Sequence, residues 1–211
     1  MPLPRSDAAL LRAPASVFVG VSGASGAPYA LRLLQALSAA GCALQLCISD
    51  AGVLVLRHEL ALAAEGREAV TAAFLARAGV TAVVYRPDDL AAPPASGSSA
   101  PDAVVICPCS MSTAAHVALG TTRTLIHRVA DVALKERRTL LVVPRETPLH
   151  QVHLRRLLEL AEAGALVVPA MPGFYTRPAS LEDAVDHVVG KVLAVLGFEQ
   201  TLFPPWEGDE A

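Results

Sequence analysis

Four short stretches hold most of the residues in this chain whose types and spacing can do chemistry. The first is Val19-Gly20-Val21-Ser22-Gly23-Ala24-Ser25-Gly26-Ala27-Pro28-Tyr29. Its glycines reach backbone conformations closed to other residues and bring N–H groups close to a ligand. A helix starting just after them adds unpaired donors and a partial positive charge, which suits an anion. The spacing Gly20, Gly23, Gly26 is neither G-x-G-x-x-G nor Walker A, since no lysine follows the last glycine, so the expected ligand is not NAD or ATP. Ser22 and Ser25 place hydroxyls where a mononucleotide phosphate can sit. The same residues read equally as a tight strand-to-helix turn with Ser25 as its N-cap.

The second stretch, Pro108-Cys109-Ser110-Met111-Ser112-Thr113, offers hydroxyls and N–H groups at the start of another helix, and reads either as a second anion- or ring-binding turn or as plain capping by Ser110 or Ser112. The third, Pro144-Arg145-Glu146-Thr147-Pro148, sets a planar cationic fork suited to a phosphate beside a carboxylate able to exchange a proton. A surface ion pair is the plainer account of it. The fourth, Pro169 to Pro178, carries Phe174 and Tyr175 among prolines, a rigid lip able to close over a flat or apolar ligand. Glu59 is a lone carboxylate inside a helical segment and reads as a solvated charge. His150 and His153 lack partners at metal-ligand spacing and read as capping or polar-face residues.

Periodicity supplies the elements that position these stretches. Apolar, β-branched runs predict strands at 17–21, 43–48, 80–85, 103–107, 139–143 and 165–168. Helical patterns predict a segment from Tyr29 to Gly41, two helices between 51 and 78 broken near Gly66, and helices at 124–138, 149–163 and 180–196. On the 124–138 helix Arg128, Asp131 and Lys135 share one face, normally a solvated and self-pairing one. The alternation implies a single α/β domain with an open parallel sheet, whose ligands bind beyond the carboxyl ends of the strands; Ser25 and Ser49 both sit at such ends. The turn-rich segment 87–101 is too long for a plain connector and is expected to be functional or disordered. Residues 1–15 read as a mobile arm, 16–197 as the domain, and 198–211 as a tail that holds the single tryptophan, Trp206.

Of the 211 residues, 53% are apolar and 18% charged, which leaves little polar surface for a small monomer and implies homo-oligomerisation. A net charge of −3 with 4% aromatics argues against nucleic acid as a partner. No uninterrupted apolar run long enough to span a bilayer and no signal-peptide core are present, so a soluble, cytoplasmic protein without a membrane partner is expected. Cys42, Cys47, Cys107 and Cys109 lack zinc or thioredoxin spacing and read as reduced packing thiols. No metal is expected.

Taken in order, Gly23-Ala24-Ser25-Gly26, Pro93-Pro94-Ala95-Ser96-Gly97-Ser98, Cys107-Pro108-Cys109-Ser110, Arg128 to Arg138, Pro144-Arg145-Glu146-Thr147-Pro148 and Pro172-Gly173-Phe174-Tyr175 resemble the UbiX flavin prenyltransferases. The resemblance runs from about residue 16 to about residue 207. It implies a doubly wound, flavodoxin-like (Rossmann-like) subunit, a dodecamer, that joins a dimethylallyl group from dimethylallyl phosphate to reduced FMN for use by a UbiD-type decarboxylase. It also implies FMN contacts at Gly23, Ala24, Ser25, Ser49, Ser110, Met111, Ser112, Thr113 and Arg145. Tyr175, Lys191 and Trp206 match donor contacts, with Arg128, Lys135, Arg145 and Glu146 around the phosphate. Glu146, and the pair Ser25 and Glu59, match groups that handle protons, and Arg128 and Lys135 cations that act on the leaving phosphate. The chain departs from the family pattern at Asp50, Leu90, Arg123, Thr124 and Lys191, the last standing where many relatives have Arg. Two other readings stay open: a flavin-dependent cysteine decarboxylase of the same fold, and an FMN carrier without transferase activity.

Overall fold

In the computed structural model, which describes residues 13–206 and 208, the sheet is built outward from two largely apolar strands. β1 (Ser16–Val21) and β4 (Ala103–Cys109) are buried along nearly their whole length, the pattern of parallel strands covered on both faces. β2 (Ala43–Ile48) and β5 (Thr139–Pro144) flank them, and the short β3 (Val83–Tyr85) and β6 (Leu166–Val167) close the edges. All neighbours pair in parallel, in the order β3-β2-β1-β4-β5-β6, with Val17 opposite Leu44 on one side and Ala103 on the other. The order reverses between β1 and β4, the position at which doubly wound sheets open a ligand crevice.

Period-two alternation sends β1 side chains to two separate cores. Val17, Val19 and Val21 pack with α1 (Ala27–Ala39) and α7 (Leu181–Val195) through Leu33, Leu37, Val188 and Val192. α2 (Asp50–Glu59) and α3 (Arg67–Ala78) complete that layer through Leu56 and Phe74. Phe18, with Val104, Ile106, Leu140 and Val142, faces α4 (Met111–Ala118), α5 (Leu125–Lys135) and α6 (Gln151–Glu162). Burying a side chain such as Phe18 or Leu33 stabilises by about 1.5–3 kcal/mol. Gly20 lets α5 approach: a Cβ there would lie 3.0 Å from Ile126 Cγ2.

The predicted strands and helices are present with small shifts. The third strand starts at Val83 rather than 80 because Gly79 ends α3 in the left-handed conformation (φ 67°) and Val80 N–H is drawn back to Leu75 O. The 87–101 segment is ordered: it forms two tight turns, Pro93–Ala95 and Gly97–Ser99, and buries Ala92, Pro94 and Ala95 against α5. Residues 1–12 of the predicted N-terminal arm, and Glu207 and 209–211 of the tail, lie outside the described residues. Residues 200–206 pack on α7, through Phe203 over Gly190, where a Cβ would meet the ring at 2.6 Å. Val152, Leu154 and Leu158 of α6 stay exposed. Among the described residues no helix is long and apolar enough to cross a membrane.

Candidate active site at the carboxyl edge of the sheet

The ends of β1, β2 and β4 surround a cleft of about 340 Å³ at the switch point, lined by Gly23, Ser49, Ser110, Ser112 and Thr113. Two helices begin on it. Ser49 caps α2 by accepting from Gly52 N–H, and Ser110 caps α4 by accepting from Thr113 N–H. Each cap leaves the first N–H groups of its helix without an intrahelical partner, next to the positive end of the helix dipole. Hydroxyls and N–H donors of this kind suit a phosphate monoester and a polyol chain. Met111 is buried in the core, so only its backbone is offered here, and Ala24 is likewise buried.

Ser22 is used differently from the sequence-based expectation of a ligand-facing hydroxyl. It is 1% exposed, donates to Pro108 O at 2.9 Å and accepts from Ser110 N–H at 2.7 Å. It therefore stitches the β1 loop to the β4 loop and forms the floor of the cleft.

The helix end behind the glycine turn also departs from expectation. The N-cap of α1 is Gly26 (φ 130°), not Ser25, and no side chain of the turn caps the helix. Instead Glu59 Oε2, from the end of α2, accepts from Gly26 N–H and Ala27 N–H, both at 2.8 Å. The anion at this helix terminus is the protein's own carboxylate, so Glu59 is not the solvated charge its lone helical position suggests. Burial pushes the Glu59 carboxyl up, but the Ser25 hydroxyl, the two N–H groups and the Arg145 charge outweigh it and hold the carboxyl below its usual range. Arg145 donates through Nε to Ser25 O at 3.1 Å, and its N–H bonds to Cys109 O. Ser25, Glu59 and Arg145 thus form one group beside the cleft. The Tyr29 hydroxyl is pushed up by burial and by Cys107, with Arg145 acting the other way.

A further group joins the lip, α7 and the tail. Tyr175 packs edge-on against Trp206 at 5.7 Å and against His187 at 5.4 Å, and Lys191 Nζ lies 5.3 Å from the centre of the Phe203 ring. The lip is anchored to the end of β5 by Ala170 N–H to Pro144 O. Its other aromatic, Phe174, is 75% exposed.

Arg128, Lys135 and Glu146 are not brought to the cleft wall. Arg128 donates to Ala95 O at 3.3 Å and pairs with Asp131, and Lys135 pairs with Glu136 beside Gly97. Both therefore face the 93–99 turns from α5. Glu146 is exposed and accepts from Thr147 N–H; Arg145 and Glu146, adjacent in sequence, take different partners.

The sequence reading missed Thr124 and His127 as cleft residues. His127 accepts from Arg123 N–H, stacks on His116 at 4.7 Å, and is pulled down to about 4, first by burial and then by His116 and Arg123, so it is a neutral wall residue. His127 precedes Asp131 by four residues and so borders the charged face of α5, and no local motif in the sequence marks it as a wall residue.

The sequence matches the family described as Flavoprotein over residues 9–194. It is 46% identical over 198 residues to the flavin prenyltransferase UbiX of Pseudomonas aeruginosa, covering 92% of this chain and 94% of that one. It is 44% identical over 192 residues to the flavin prenyltransferase UbiX of Halalkalibacterium halodurans, covering 91% and 93%. Among solved structures, AnUbiX (PadA1) in complex with FMN and dimethylallyl pyrophosphate superposes with a TM-score of 0.83 at 36% identity, over 93% of this chain and 100% of that one. A dodecameric FMN-dependent UbiX-like decarboxylase from Escherichia coli O157:H7 gives 0.81 at 37%, over 92% and 100%.

Proposed function

This chain belongs to the flavoprotein family, among the UbiX-type flavin prenyltransferases, and on that premise we propose how its own residues carry out prenyl transfer to FMN. The observation that carries the proposal is the loop Ser22–Gly26, which borders the hydroxyl-lined cleft on one side and holds Glu59 and Arg145 on the other. The cleft's donor set fits FMN: Ser49, Ser110, Ser112 and Thr113 with two helix N-termini for the phosphate and polyol, and Gly23 for close approach of backbone. Gly23, Ala24, Ser25, Met111 and Arg145 complete the set through backbone or flanking groups.

Reduced FMN, when bound, supplies the nucleophilic centre that accepts the dimethylallyl group. The donor is a dimethylallyl phosphate, whose carbon–oxygen bond breaks to release the phosphate group. Arg145, Lys191 and the Tyr175 hydroxyl stabilise the charge that develops on that phosphate, while Tyr175 and Trp206 exclude water from the apolar prenyl chain. Arg128 and Lys135, which face the 93–99 turns of their own chain and do not line its cleft, reach the site of a neighbouring copy. The dodecameric relative and the exposed α6 stripe support that assembly. Glu146 moves the phosphate-side proton, and Ser25 with Glu59 the flavin-side proton. Residues 16–197 form the flavoprotein domain, and Trp206 of the tail joins the donor contacts beside Tyr175. The product serves a UbiD-type decarboxylase. Four free cysteines suit the reducing cytoplasm.

Anaerobic incubation with reduced FMN and dimethylallyl monophosphate, followed by mass spectrometry of the flavin, is the test. A flavin heavier by one five-carbon unit supports the reading. Unmodified flavin with either the mono- or the diphosphate, despite tight FMN binding, refutes it.

A further inference from the structure

His187 is a buried histidine that none of the roles above uses, and its two ring nitrogens have different partners. Gly173 N–H donates to Nδ1 at 3.1 Å, and Nε2 lies 3.3 Å from Tyr175 Oη. A backbone N–H can only donate, so Nδ1 presents its lone pair and the ring proton of the neutral imidazole sits on Nε2. The opposite tautomer would set two donors against each other at 3.1 Å. Nε2–H therefore donates to Tyr175 Oη. With its lone pair engaged, the phenol's own proton is left to point elsewhere, and accepting a bond makes that O–H a stronger donor.

The surroundings fix the imidazole in place. Phe203 packs against it at 4.6 Å, and Gly173 is needed because a Cβ there would fall 2.9 Å from Nε2 and from Tyr175 Cε1. The acidic neighbours on the same helix are engaged elsewhere: Asp183 caps α7, and Asp186 pairs with Arg32. Burial and then the charge of Lys191, one turn along α7, keep the ring below its usual range and hence neutral. Tyr175 itself is 41% exposed.

We propose that His187 is a positioning residue that fixes the tautomer and hydrogen-bond polarity of this group, so that the Tyr175 hydroxyl is presented as a donor to the phosphate of the prenyl donor. The inference rests on the donor-site reading of Tyr175 given above. His187→Phe keeps an aromatic ring at the position and removes both nitrogens; His187→Gln restores a donor where Nε2 was.

The test is a double-mutant cycle read by calorimetry as binding of dimethylallyl monophosphate to the FMN-loaded protein. His187→Phe weakens donor binding about 3- to 10-fold, the worth of one hydrogen bond, with FMN affinity unchanged. His187→Gln recovers most of the loss. In a Tyr175→Phe background His187→Phe adds nothing further, because its effect passes through the hydroxyl. An equal loss in both backgrounds, no loss at all, or no donor binding by the unmodified protein overturns the proposal. Solid-state ¹⁵N spectra of histidine-labelled protein, with the His187→Phe spectrum assigning the signal, give an Nε2–H ring, and an Nδ1–H ring refutes it. Donor binding without transfer refutes the function and leaves the positioning role standing.

Discussion

Removing the Glu59 carboxylate tests whether an internal anion holds the start of α1. It makes two charge-assisted bonds of 2.8 Å to Gly26 and Ala27, whose residues are buried. Leaving both N–H groups without an acceptor costs about 2 kcal/mol in Glu59→Ala, discounted because the half-exposed site admits water. Glu59→Gln keeps a carbonyl oxygen and loses only the charge, about 1 kcal/mol. For a chain of this size these become falls in Tm of about 4–8 °C and 2–4 °C. Scanning calorimetry at one protein concentration measures them, since an oligomer's Tm depends on concentration. The pH dependence has a definite sign. The Glu59 carboxyl is held below its usual value in the folded state, so its contribution is complete above the unfolded value of about 4.3 and is lost as pH falls through the folded one. The gap between unmodified protein and Glu59→Ala therefore narrows below about pH 4. A gap that is absent at pH 7, or that stays constant into acid, would refute the capping role. Turnover separates the two functions: Glu59→Gln retains FMN binding but loses about 100-fold or more in rate if the carboxylate moves a proton.

Other measurements follow from the same geometry. Ser22→Ala, which removes the stitch between the β1 and β4 loops, lowers stability by about 1–2 kcal/mol in chemical denaturation and weakens FMN binding in fluorescence titration. Gly23→Ala puts a Cβ 2.4 Å from Ala51 Cβ, so α2 must shift; FMN affinity falls about 10-fold or more while circular dichroism keeps its helical and sheet signal. Burial pushes the Cys47 and Cys109 thiols up to about 12 and Cys107 further up, so a thiol reagent modifies only Cys42 in the native protein and all four cysteines in denaturant. Under the proposed supply of Lys135 by a neighbouring copy, subunits carrying Lys135→Ala and subunits carrying Glu59→Gln, each inactive alone, regain activity when mixed and reassembled; no recovery would confine that lysine to its own chain.

The fold was largely legible because its signals are local. The apolar runs at β1, β4 and β5 and the helical repeat at α5 each announce their element within a dozen residues, and Ser180 with Asp183 forms the capping box its spacing suggests. The switch-point cleft follows from strand order, which places Ser49 and Ser110 at the ends of the two strands that flank β1. What stayed hidden depends on partners distant in sequence. Nothing near Glu59 shows that it caps a helix starting 32 residues earlier. Ser22 and Ser25 look equivalent in the glycine turn, and only the carbonyl of Pro108 distinguishes the stitching serine from the one beside Glu59. His187 reads as one more residue on an apolar helix until Gly173 and Tyr175 fold over it.

The Ser22 stitch also bears on the time order of folding. Its partner Pro108 lies 86 positions further along the chain, and the intervening segment contains β2, β3 and the two helices between them. A fragment ending before β4 has the glycine turn but no carbonyl for Ser22 and no Ser110 to meet it, so it has no floor for a flavin to rest on. Closing so long a loop is a late and slow event in a parallel sheet. Flavin capture therefore counts only chains whose central strands have already met, and in refolding it trails the appearance of helical signal.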